Sequence, residues 1–594
     1  MIEFMFDAFL PRSHAFVRRI LPNRWDFAAF PLILGAAALT ASGFQQAMAP
    51  LSELEAQAVS LNPACLPEYA LRTTLRMLAA MALSLLFTFI YSALAAKNRR
   101  AEKVLVPLLD IAQSVPVLGY LSFTVTFFIA LFPGRILGVE CAAIFAIFTS
   151  QAWNMSFSFY QSLRTVPRDL LEVSRNFQLS VWQRFWKLEV PFSMPGLIWN
   201  MMMSMSGGWF FIVASEAMTV GHHTFRLPGI GAYLAQAIEA RNLAAVGWVI
   251  VTMIAVILIY DQCLFRPLVA WADKFRLENT DTGSAPSSWL LDLIQRTRLI
   301  RRALVPASRL FARIARMRIR PIGRGIKRPA WSRFPAAGSI QMQRWISRTG
   351  DALWILAMIS VTAALGWHAF VYARAHIDWN EAAYVLTLGA ITLARVLLLI
   401  LLASVIWVPV GMWIGLRPAL AQRVQPLAQF LAAFPANLLF PLFVVAIVRF
   451  QLNPDLWLSP LIVLGTQWYI LFNVIAGASA YPNDYREAAA SLHIRGWQWW
   501  KKVMLPGIFP YYVTGAMTAS GGAWNASIVS EAVSWGDTKL SAHGLGAYIA
   551  EMTDAGDMPH MMLGIAVMSV FVTAFNRLLW RPLYLYAENR LRLD

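Results

Sequence analysis

The sequence predicts an all-α polytopic membrane protein made of two tandem six-helix domains, with about 12 transmembrane helices in all. Three observations support this fold class. Of the 594 residues, 58% are hydrophobic and only 14% are charged, whereas soluble domains carry about 25% charged residues. Apolar runs of roughly 20 residues recur along the chain, long enough to cross a bilayer as helices. The third observation is an internal repeat of the whole pattern.

The apolar runs predict twelve spans. They lie near 28–48, 73–96, 104–132, 137–160, 197–219, 244–265, 351–372, 386–416, 425–450, 456–478, 511–534 and 560–580. Lys and Arg concentrate on the cytoplasmic side of bacterial membranes, and every basic segment falls on one side of this arrangement. The sequence therefore predicts a multi-pass protein of the bacterial inner (cytoplasmic) membrane with both termini in the cytoplasm.

The second half of the chain repeats the first. A constant offset of 315 residues joins the following pairs: Trp153 and Trp468, Pro167 and Pro482, Glu172 and Glu487, Pro191 and Pro506, Trp209 and Trp524, Glu216 and Glu531. Upstream the offset is 319, and it joins Arg76 to Arg395 and Pro116 to Pro435. Both halves have the same order and orientation of helices, so the pseudo-two-fold axis runs along the membrane normal and places a pathway between them.

The repeat divides the chain into three parts. Residues 1–280 are predicted to form the first domain, 281–350 a basic cytoplasmic linker and 351–594 the second domain. The stretch from Leu293 to Gly350 holds 15 Lys and Arg and no Asp or Glu. Such a segment is typical of a solvated linker that lies against the anionic lipid headgroups of the bilayer, and we expect no nucleic-acid partner.

A polar, basic and aromatic loop occurs once in each half, at 167–195 and 482–510. Each copy starts with proline, followed by Asp and then Glu three residues later, in PRDLLE and PNDYRE. This spacing predicts a short helix that begins with a capping-box-like pair. Two prolines four residues apart are expected to stop the helix. A plain interfacial helix is the simpler interpretation, but two copies at fixed spacing favour a docking role.

The loop resembles the EAA loop of binding-protein-dependent ABC importer permeases. The second copy carries Glu487-Ala488-Ala489 with Leu505-Pro506, and the first carries the degenerate Glu172-Val173-Ser174 with Val190-Pro191. The family usually has glycine six residues after the Glu. Gln178 and His493 stand there in this chain, so we expect a different turn. SEAM and SEAV, then GIGAY and GLGAY, then two RPL segments resemble the nitrate, sulfonate/taurine and bicarbonate branch, in its form with two fused permease domains.

The resemblance implies two tandem type I ABC importer permease domains and a translocation pathway for a small anion. It implies that Glu172, Val173, Ser174, Gln178, Glu487, Ala488, Ala489 and His493 belong to coupling helices. Each helix would bind one copy of a separate ATPase subunit, which would bind ATP and Mg²⁺. A solute-binding protein, if one is used, must be a separate chain. The sequence has no phosphate-binding G-x-x-x-x-G-K-[ST] loop, so we expect no cofactor in this chain.

Four ionisable residues are candidate pathway or gating residues: Arg76, Arg395, Glu216 and Glu531. Such groups are costly in the membrane unless they face protein or water. Two interpretations of the arginines stay open: a positive funnel whose guanidinium groups suit oxyanions, or two structural ion pairs with the glutamates. Each glutamate lies late in the predicted fifth helix of its half. The favoured interpretation is a structural carboxylate that hydrogen-bonds the following loop.

Two other classes of function compete with the importer. Duplicated halves and intramembrane charges also suit a secondary active transporter, but that class has no need of paired cytoplasmic helices. A membrane-embedded enzyme is disfavoured because the sequence shows neither a cluster with metal-ligand spacing nor a nucleophile constellation. We therefore expect a transporter subunit with no catalytic residues and no metal site.

Overall fold

The structure is a computed structural model that describes residue 50, residues 59–220, 223–275, 288–297, 374–479 and 481–591, and scattered residues between 306 and 372. The predicted span at 28–48 and most of the one at 351–372 lie outside these residues. The described part is helical apart from turns and two short β-hairpins. It is an all-α polytopic membrane protein in class.

The first half consists of ten helices and one hairpin in its described residues. The helices are Leu66–Lys97, Arg99–Ser114, Leu121–Leu131, Ile136–Arg164, Arg168–Asn176, Val181–Arg184, Val190–Ser215, Ile230–Glu239, Leu243–Tyr260 and Arg266–Ala272. The hairpin strands are β1, Ala217–Val220, and β2, His223–Arg226. The helix Trp289–Arg296 lies in the linker.

The second half follows the same order, except that three consecutive helices stand in the place of the single helix Ile136–Arg164. Its helices are Trp379–Gly415, Pro418–Ala433, Phe440–Arg449, Pro454–Trp457, Ser459–Leu464, Gln467–Ser479, Asn483–Ser491, Gly496–Trp499, Leu505–Ser530, Leu545–Ala555, Met558–Phe575 and Arg581–Arg590. Its hairpin strands are β3, Ala532–Trp535, and β4, Thr538–Ser541.

In the described part of the chain, six helices are long and apolar enough to cross a membrane. They are Pro63–Lys97, Ile136–Arg164, Val181–Ser215, Leu243–Ala272, Trp379–Gly415 and Met558–Arg590. The number rises to eight if two bent helix pairs each count as one span. One pair joins Pro418–Ala433 to Ala436–Arg449 with a bend of 76°, and the other joins Pro454–Leu464 to Gln467–Ser479 with a bend of 41°.

The predicted spans 104–132 and 425–450 are not continuous helices. Each is interrupted immediately before a proline that the repeat matches, Pro116 in the first half and Pro435 in the second. The preceding residues are extended, with ψ of 126° at Val115 and 125° at Phe434. A proline disfavours the helical conformation of the residue before it because its ring collides with that residue's backbone. The break therefore follows from the sequence.

The predicted fifth helices, 197–219 and 511–534, both end early. The structure ends them at Ser215 and Ser530, and a hairpin begins two residues later in each half. Glu216 and Glu531 were predicted to lie late within these helices. In the structure each of them is the residue that follows the last helical residue.

Each half has its own apolar core, and the two halves also contact each other directly. Within the second half, a Cβ added to Gly415 would lie 2.6 Å from the Cβ of Ala478, so small residues let these two helices approach closely. Across the halves, Trp199 stacks on Phe472 with ring centroids 5.3 Å apart. The amide of Asn437 donates to the Phe210 carbonyl at 3.2 Å. The fifth helix of the first half thus contacts the second half at two points along its length, Trp199 and Phe210.

Candidate functional site

The structure has a short helix in each polar loop: the first loop helix, Arg168–Asn176, and the second loop helix, Asn483–Ser491. Pro167 and Pro482 precede them, and no described side chain caps either first turn. The predicted capping by Asp169 and Asp484 is therefore wrong, since each aspartate lies inside the first turn. The fixed φ of proline already directs the chain into the helix, and an acid in the first turn is still favoured by the helix dipole.

A true capping box lies one helix later in the first loop. The Ser180 hydroxyl accepts from the Gln183 amide N–H, and the Gln183 side chain accepts from the Ser180 N–H. The amide nitrogen of Gln183 also donates to the Arg316 carbonyl at 2.9 Å. Part of the basic linker therefore lies against the first loop, a contact that the sequence did not predict.

Each loop helix has one buried and one exposed face. The buried anchors are equivalent in the repeat: Ser174 is 4% exposed and Ala489 is 3% exposed. The other predicted coupling residues are exposed: Glu172, Val173, Gln178, Glu487, Ala488 and His493. Apolar side chains extend this face, since Phe177 is 74% exposed and Leu492 is 72% exposed. Exposed apolar surface of this kind, mixed with charge, is typical of protein–protein and membrane interaction sites.

The turns after both loop helices have the same backbone form. Gln178 has φ of 50° and His493 has φ of 53°, in the left-handed region that glycine adopts most readily. The following N–H groups close the turns: Leu179 donates to the Ser174 carbonyl at 3.1 Å, and Ile494 donates to the Ala489 carbonyl at 3.0 Å. These six-residue closures satisfy carbonyls that the helix end leaves open. Gln178 and His493 thus stand at the position of the family's glycine and adopt the left-handed conformation themselves.

Each loop passes into its long helix through a π-helical turn. These turns are Phe185–Glu189 and Trp500–Met504, equivalent at the 315 offset. The predicted stop at the paired prolines is wrong, because helical structure continues from each π-helical turn through Pro191 and Pro506 into the long helix. Proline has no N–H, so each of them removes one hydrogen bond from the helical ladder there. Single π-helical turns occur often at functional sites. The short helices Val181–Arg184 and Gly496–Trp499 are thus joined to the long helices without a break, whereas a left-handed turn separates each of them from its loop helix.

The first junction carries a buried ion cluster that the sequence analysis missed. Glu189 is 5% exposed and pairs with Lys97 and Arg184, each at 2.8 Å. Lys97 also lies over the Phe185 ring, 4.4 Å from its centroid. Nothing in the local sequence brings Lys97 to Glu189, since they are far apart along the chain. The equivalent positions in the second half belong to its apolar core: Leu416, Trp499 and Met504.

Arg76 lies in a buried network whose members all come from the first half. Its guanidinium donates to Glu140 at 2.6 and 2.7 Å and to Glu216 at 2.7 Å. It also donates to the Pro228 carbonyl at 3.0 Å. The Glu216 carboxylate further accepts from the Thr73 hydroxyl at 2.7 Å. The arginine charge is therefore neutralised by two acids.

Arg395 makes the equivalent contacts in the second half, but fewer of them. It pairs with Glu531 at 2.9 Å, and Asp455, the residue equivalent to Glu140, is 3.9 Å away. The His543 ring nitrogen instead lies 3.0 Å from Asp455, and the His543 carbonyl accepts from Arg395 at 3.2 Å. The second network is looser and more open to solvent than the first.

Both glutamates fix the loop that follows them. Glu216 accepts from the Gly231 N–H at 2.7 Å, and Glu531 accepts from the Gly546 N–H at 2.8 Å. A Cβ added to Gly544 would lie 2.2 Å from the Glu531 carboxylate oxygen, so only glycine lets the loop approach the acid. This geometry is that of structural carboxylates at the GIGAY and GLGAY segments.

The geometry favours the ion-pair interpretation over the positive funnel. A funnel needs two guanidinium groups that line one shared cavity. Arg76 and Arg395 each contact the glutamate of their own half instead. A role of these pairs in gating stays a prediction. Among the described residues, no three His, Cys, Asp or Glu side chains are grouped closely enough to hold a metal ion.

Two segments of the chain, residues 80–262 and 407–591, match the family described as "Binding-protein-dependent transport system inner membrane component". The bicarbonate transport system permease protein CmpB of Synechococcus elongatus is 33% identical over 132 residues, which cover 22% of this chain and 46% of that protein. The nitrate import permease protein NrtB of Leptolyngbya laminosa is 26% identical over 189 residues, which cover 32% of this chain and 64% of that protein.

A third relative is the glycine betaine/proline betaine transport system permease protein ProW of Escherichia coli, 29% identical over 165 residues, which cover 27% of this chain and 42% of that protein. The chain thus covers between 42% and 64% of the length of these three relatives. The two matched segments of the family coincide with the two copies of the internal repeat.

Proposed function

The chain belongs to the family of binding-protein-dependent transport system inner membrane components, and we propose that it forms the translocation pathway of an ATP-driven importer for a small anion. As a family member it is a membrane permease, a component of a transporter. The pathway would run along the pseudo-two-fold axis, with a fifth helix of each half at its border.

The observation that carries this proposal is the pair of equivalent loop helices. Each is anchored by a buried small residue, Ser174 or Ala489, and exposes a charged and apolar face. Each is followed by a closed left-handed turn and by a short helix that continues through a π-helical turn into a long helix. A force on the loop helix would therefore be transmitted to the helix that borders the pathway. The exposed coupling residues are Glu172, Val173, Gln178, Glu487, Ala488 and His493, with Ser174 and Ala489 beneath them.

We infer that the partner is an ABC ATPase subunit, present in two copies because one chain supplies two docking helices. ATP and Mg²⁺ would be bound by those subunits. ATP binding would draw the two ATPases together and move both loop helices, which switches the pathway between its two orientations. A separate solute-binding protein would deliver the solute from outside.

The names of two relatives support the class of solute. One is a bicarbonate transport permease and one is a nitrate import permease, so we propose a small anion such as bicarbonate, nitrate or a sulfonate. The described ion pairs leave the arginines neutralised, so recognition of the anion would fall to other groups or to the binding protein.

The chain would lie in the bacterial inner membrane with both termini and both loop helices on the cytoplasmic side. The two permease domains would comprise 1–280 and 351–594, joined by the basic linker 281–350. The linker's contact with Gln183 supports a cytoplasmic linker, because it brings linker and first loop to the same side.

The test is reconstitution of the purified chain in vesicles with the ATPase subunit that co-purifies with it. We expect ATP-dependent uptake of labelled bicarbonate or nitrate, which is lost when the phosphate-loop lysine of the ATPase is replaced. Uptake that follows an ion gradient without any ATPase would contradict the proposal and favour a secondary transporter.

A further inference from the structure

The hairpin of the second half reaches across to the first half. Its register pairs Trp535 with Thr538, so its turn consists of Gly536 and Asp537. Gly536 has φ of 57°, and a positive φ at the first turn position favours glycine in a two-residue hairpin. The tip is therefore a tight two-residue turn.

The tip is bonded to the end of the first-half helix Ile230–Glu239. The Gly536 N–H donates to the Ile238 carbonyl at 3.0 Å, and Arg241 pairs with Asp537 at 2.6 Å. The last carbonyls of a helix lack partners within it, so this helix end is a natural acceptor. The side chains of Arg241 and Asp537 are 51% and 99% exposed. Such an exposed ion pair contributes little stability, so the contact is one that can open.

The base of the hairpin is fixed to its own half. The Ala542 N–H donates to the Glu531 carbonyl at 2.8 Å, and the His543 N–H donates to Asp455 at 2.6 Å. Glu531 is held by Arg395. The hairpin therefore follows the second half when the halves move apart, and the bonds at its tip are the ones that must break.

The two hairpins contact the opposite halves reciprocally. Strand β3 lies against the first-half helix Ile230–Glu239, and strand β1 lies against the second-half helix Leu545–Ala555. Both contacts lie beyond the carboxyl ends of the fifth helices, at the ends that lie away from the loop helices. Two hairpins that each contact the opposite half at the same end of the molecule would close a pathway between the halves at that end.

Below the hairpin, the second fifth helix has an open face toward the first half. Asn525 accepts from the Val117 N–H at 2.8 Å, which marks the face as one that borders the first half. Further toward the loop helix, Thr518 and Gly521 are exposed, and a Cβ at Gly521 would meet no described atom within 4 Å. The hairpin therefore lies beyond one end of a helix face that borders the first half and is uncovered further toward the loop helix.

We propose that the β3–β4 hairpin is the outer gate of the pathway, and that Ile238, Arg241, Gly536 and Asp537 form its latch. This proposal rests on the proposed permease function. In the present conformation the outer side is closed. Outward opening requires the tip to leave the helix end of the first half.

The test is a disulfide across the latch. A Cβ on Gly536 would lie 2.8 Å from the Cγ of Arg241, so the two Cβ atoms are at most about 4.3 Å apart, within the range that a disulfide needs. Arg241→Cys and Gly536→Cys are combined after Cys65, Cys141 and Cys263 are replaced by serine. The complex with its ATPase is reconstituted in vesicles, and uptake of bicarbonate or nitrate is measured before and after oxidation.

We expect oxidation to abolish uptake and a reductant to restore it, while Gly536→Cys with Arg241→Ser is insensitive to oxidation. Arg241→Cys with Asp537→Cys, joined by a short thiol cross-linker, gives a second test without a side chain at the glycine. Full uptake by the cross-linked protein would overturn the gate and leave the permease function intact. No ATP-dependent uptake by the complex of the wild-type chain would overturn the proposed importer function, and the gate with it.

Discussion

Replacement of Arg76 by glutamine is the sharpest perturbation of the buried network. The Arg76 side chain is 6% exposed and that of Glu216 is fully buried. Glutamine cannot replace a guanidinium that bonds two carboxylates and a carbonyl. Glu216 would keep only the Thr73 hydroxyl and the Gly231 N–H as donors, and its charge would be left without a counter-ion.

The expected loss is large because the remaining charge is buried. Removal of one partner of a buried ion pair costs about 3–5 kcal/mol, and we expect Arg76→Gln to reduce the free energy of unfolding by that amount. Arg395→Gln should cost about 1.5–3 kcal/mol, typical of hydrogen bonds to a charged group, because Arg395 has one close acid and is more exposed. Arg72→Gln should cost less than about 1 kcal/mol, since its pair with Glu68 is exposed.

The assay is unfolding of the purified chain in mixed detergent micelles with increasing SDS, followed by tryptophan fluorescence. Arg72→Gln is the matched control because it removes the same charge one turn away on the same helix. The double variant Arg76→Gln/Glu216→Gln should lose less than the sum of the two single variants, since the residues interact directly.

The reasoning is refuted if Arg76→Gln costs no more than Arg72→Gln. If the network contributes no stability, the positive-funnel interpretation of Arg76 is favoured again. Arg76→Gln would then reduce anion uptake and leave the free energy of unfolding unchanged.

Three further predictions concern Glu216, the turn at His493 and the second loop helix. Glu216→Gln should keep more folded protein than Glu216→Leu, measured as yield after heating, because leucine leaves the surrounding donors unpaired; equal and complete loss would favour a charge-dependent role. His493→Gly should be neutral or stabilising and His493→Val destabilising by about 1–2 kcal/mol, since only glycine adopts the left-handed turn freely; SDS unfolding distinguishes them. Glu487→Lys should uncouple ATP hydrolysis from uptake with normal membrane insertion, whereas Glu551→Lys, exposed in the helix that follows the β3–β4 hairpin, should leave coupling unchanged.

Much of the fold was predictable because it depends on local patterns and on the repeat. The 315 offset gave two equivalent halves, and the family match covers both. The breaks at Pro116 and Pro435 do not show in the apolar pattern, because they depend on the conformation that each proline imposes on the residue before it. The hairpins were missed because strands of four residues carry too little alternation to stand out from an apolar run.

The site was predictable where it is local and unpredictable where it is not. The exposed and buried positions of the loop helices follow helical spacing around Ser174 and Ala489. The partners of Arg76 and Arg395 were left open, because repeat pairing places residues in equivalent positions without deciding which atoms meet. The Lys97–Glu189 pair and the Ile238–Gly536 bond join distant parts of the chain, so only the folded structure reveals them.

The central claim is that both loop helices bind an ATPase subunit. The most direct measurement is cysteine cross-linking to the co-purified ATPase from Val173→Cys and from Ala488→Cys, which are exposed, with the buried neighbours Ser174→Cys and Ala489→Cys as matched controls. The proposal predicts cross-links at both exposed positions, weak or none at the buried ones, and a mass of two ATPase copies per chain. Cross-links at neither loop helix, or a complex with a single ATPase copy, would contradict it.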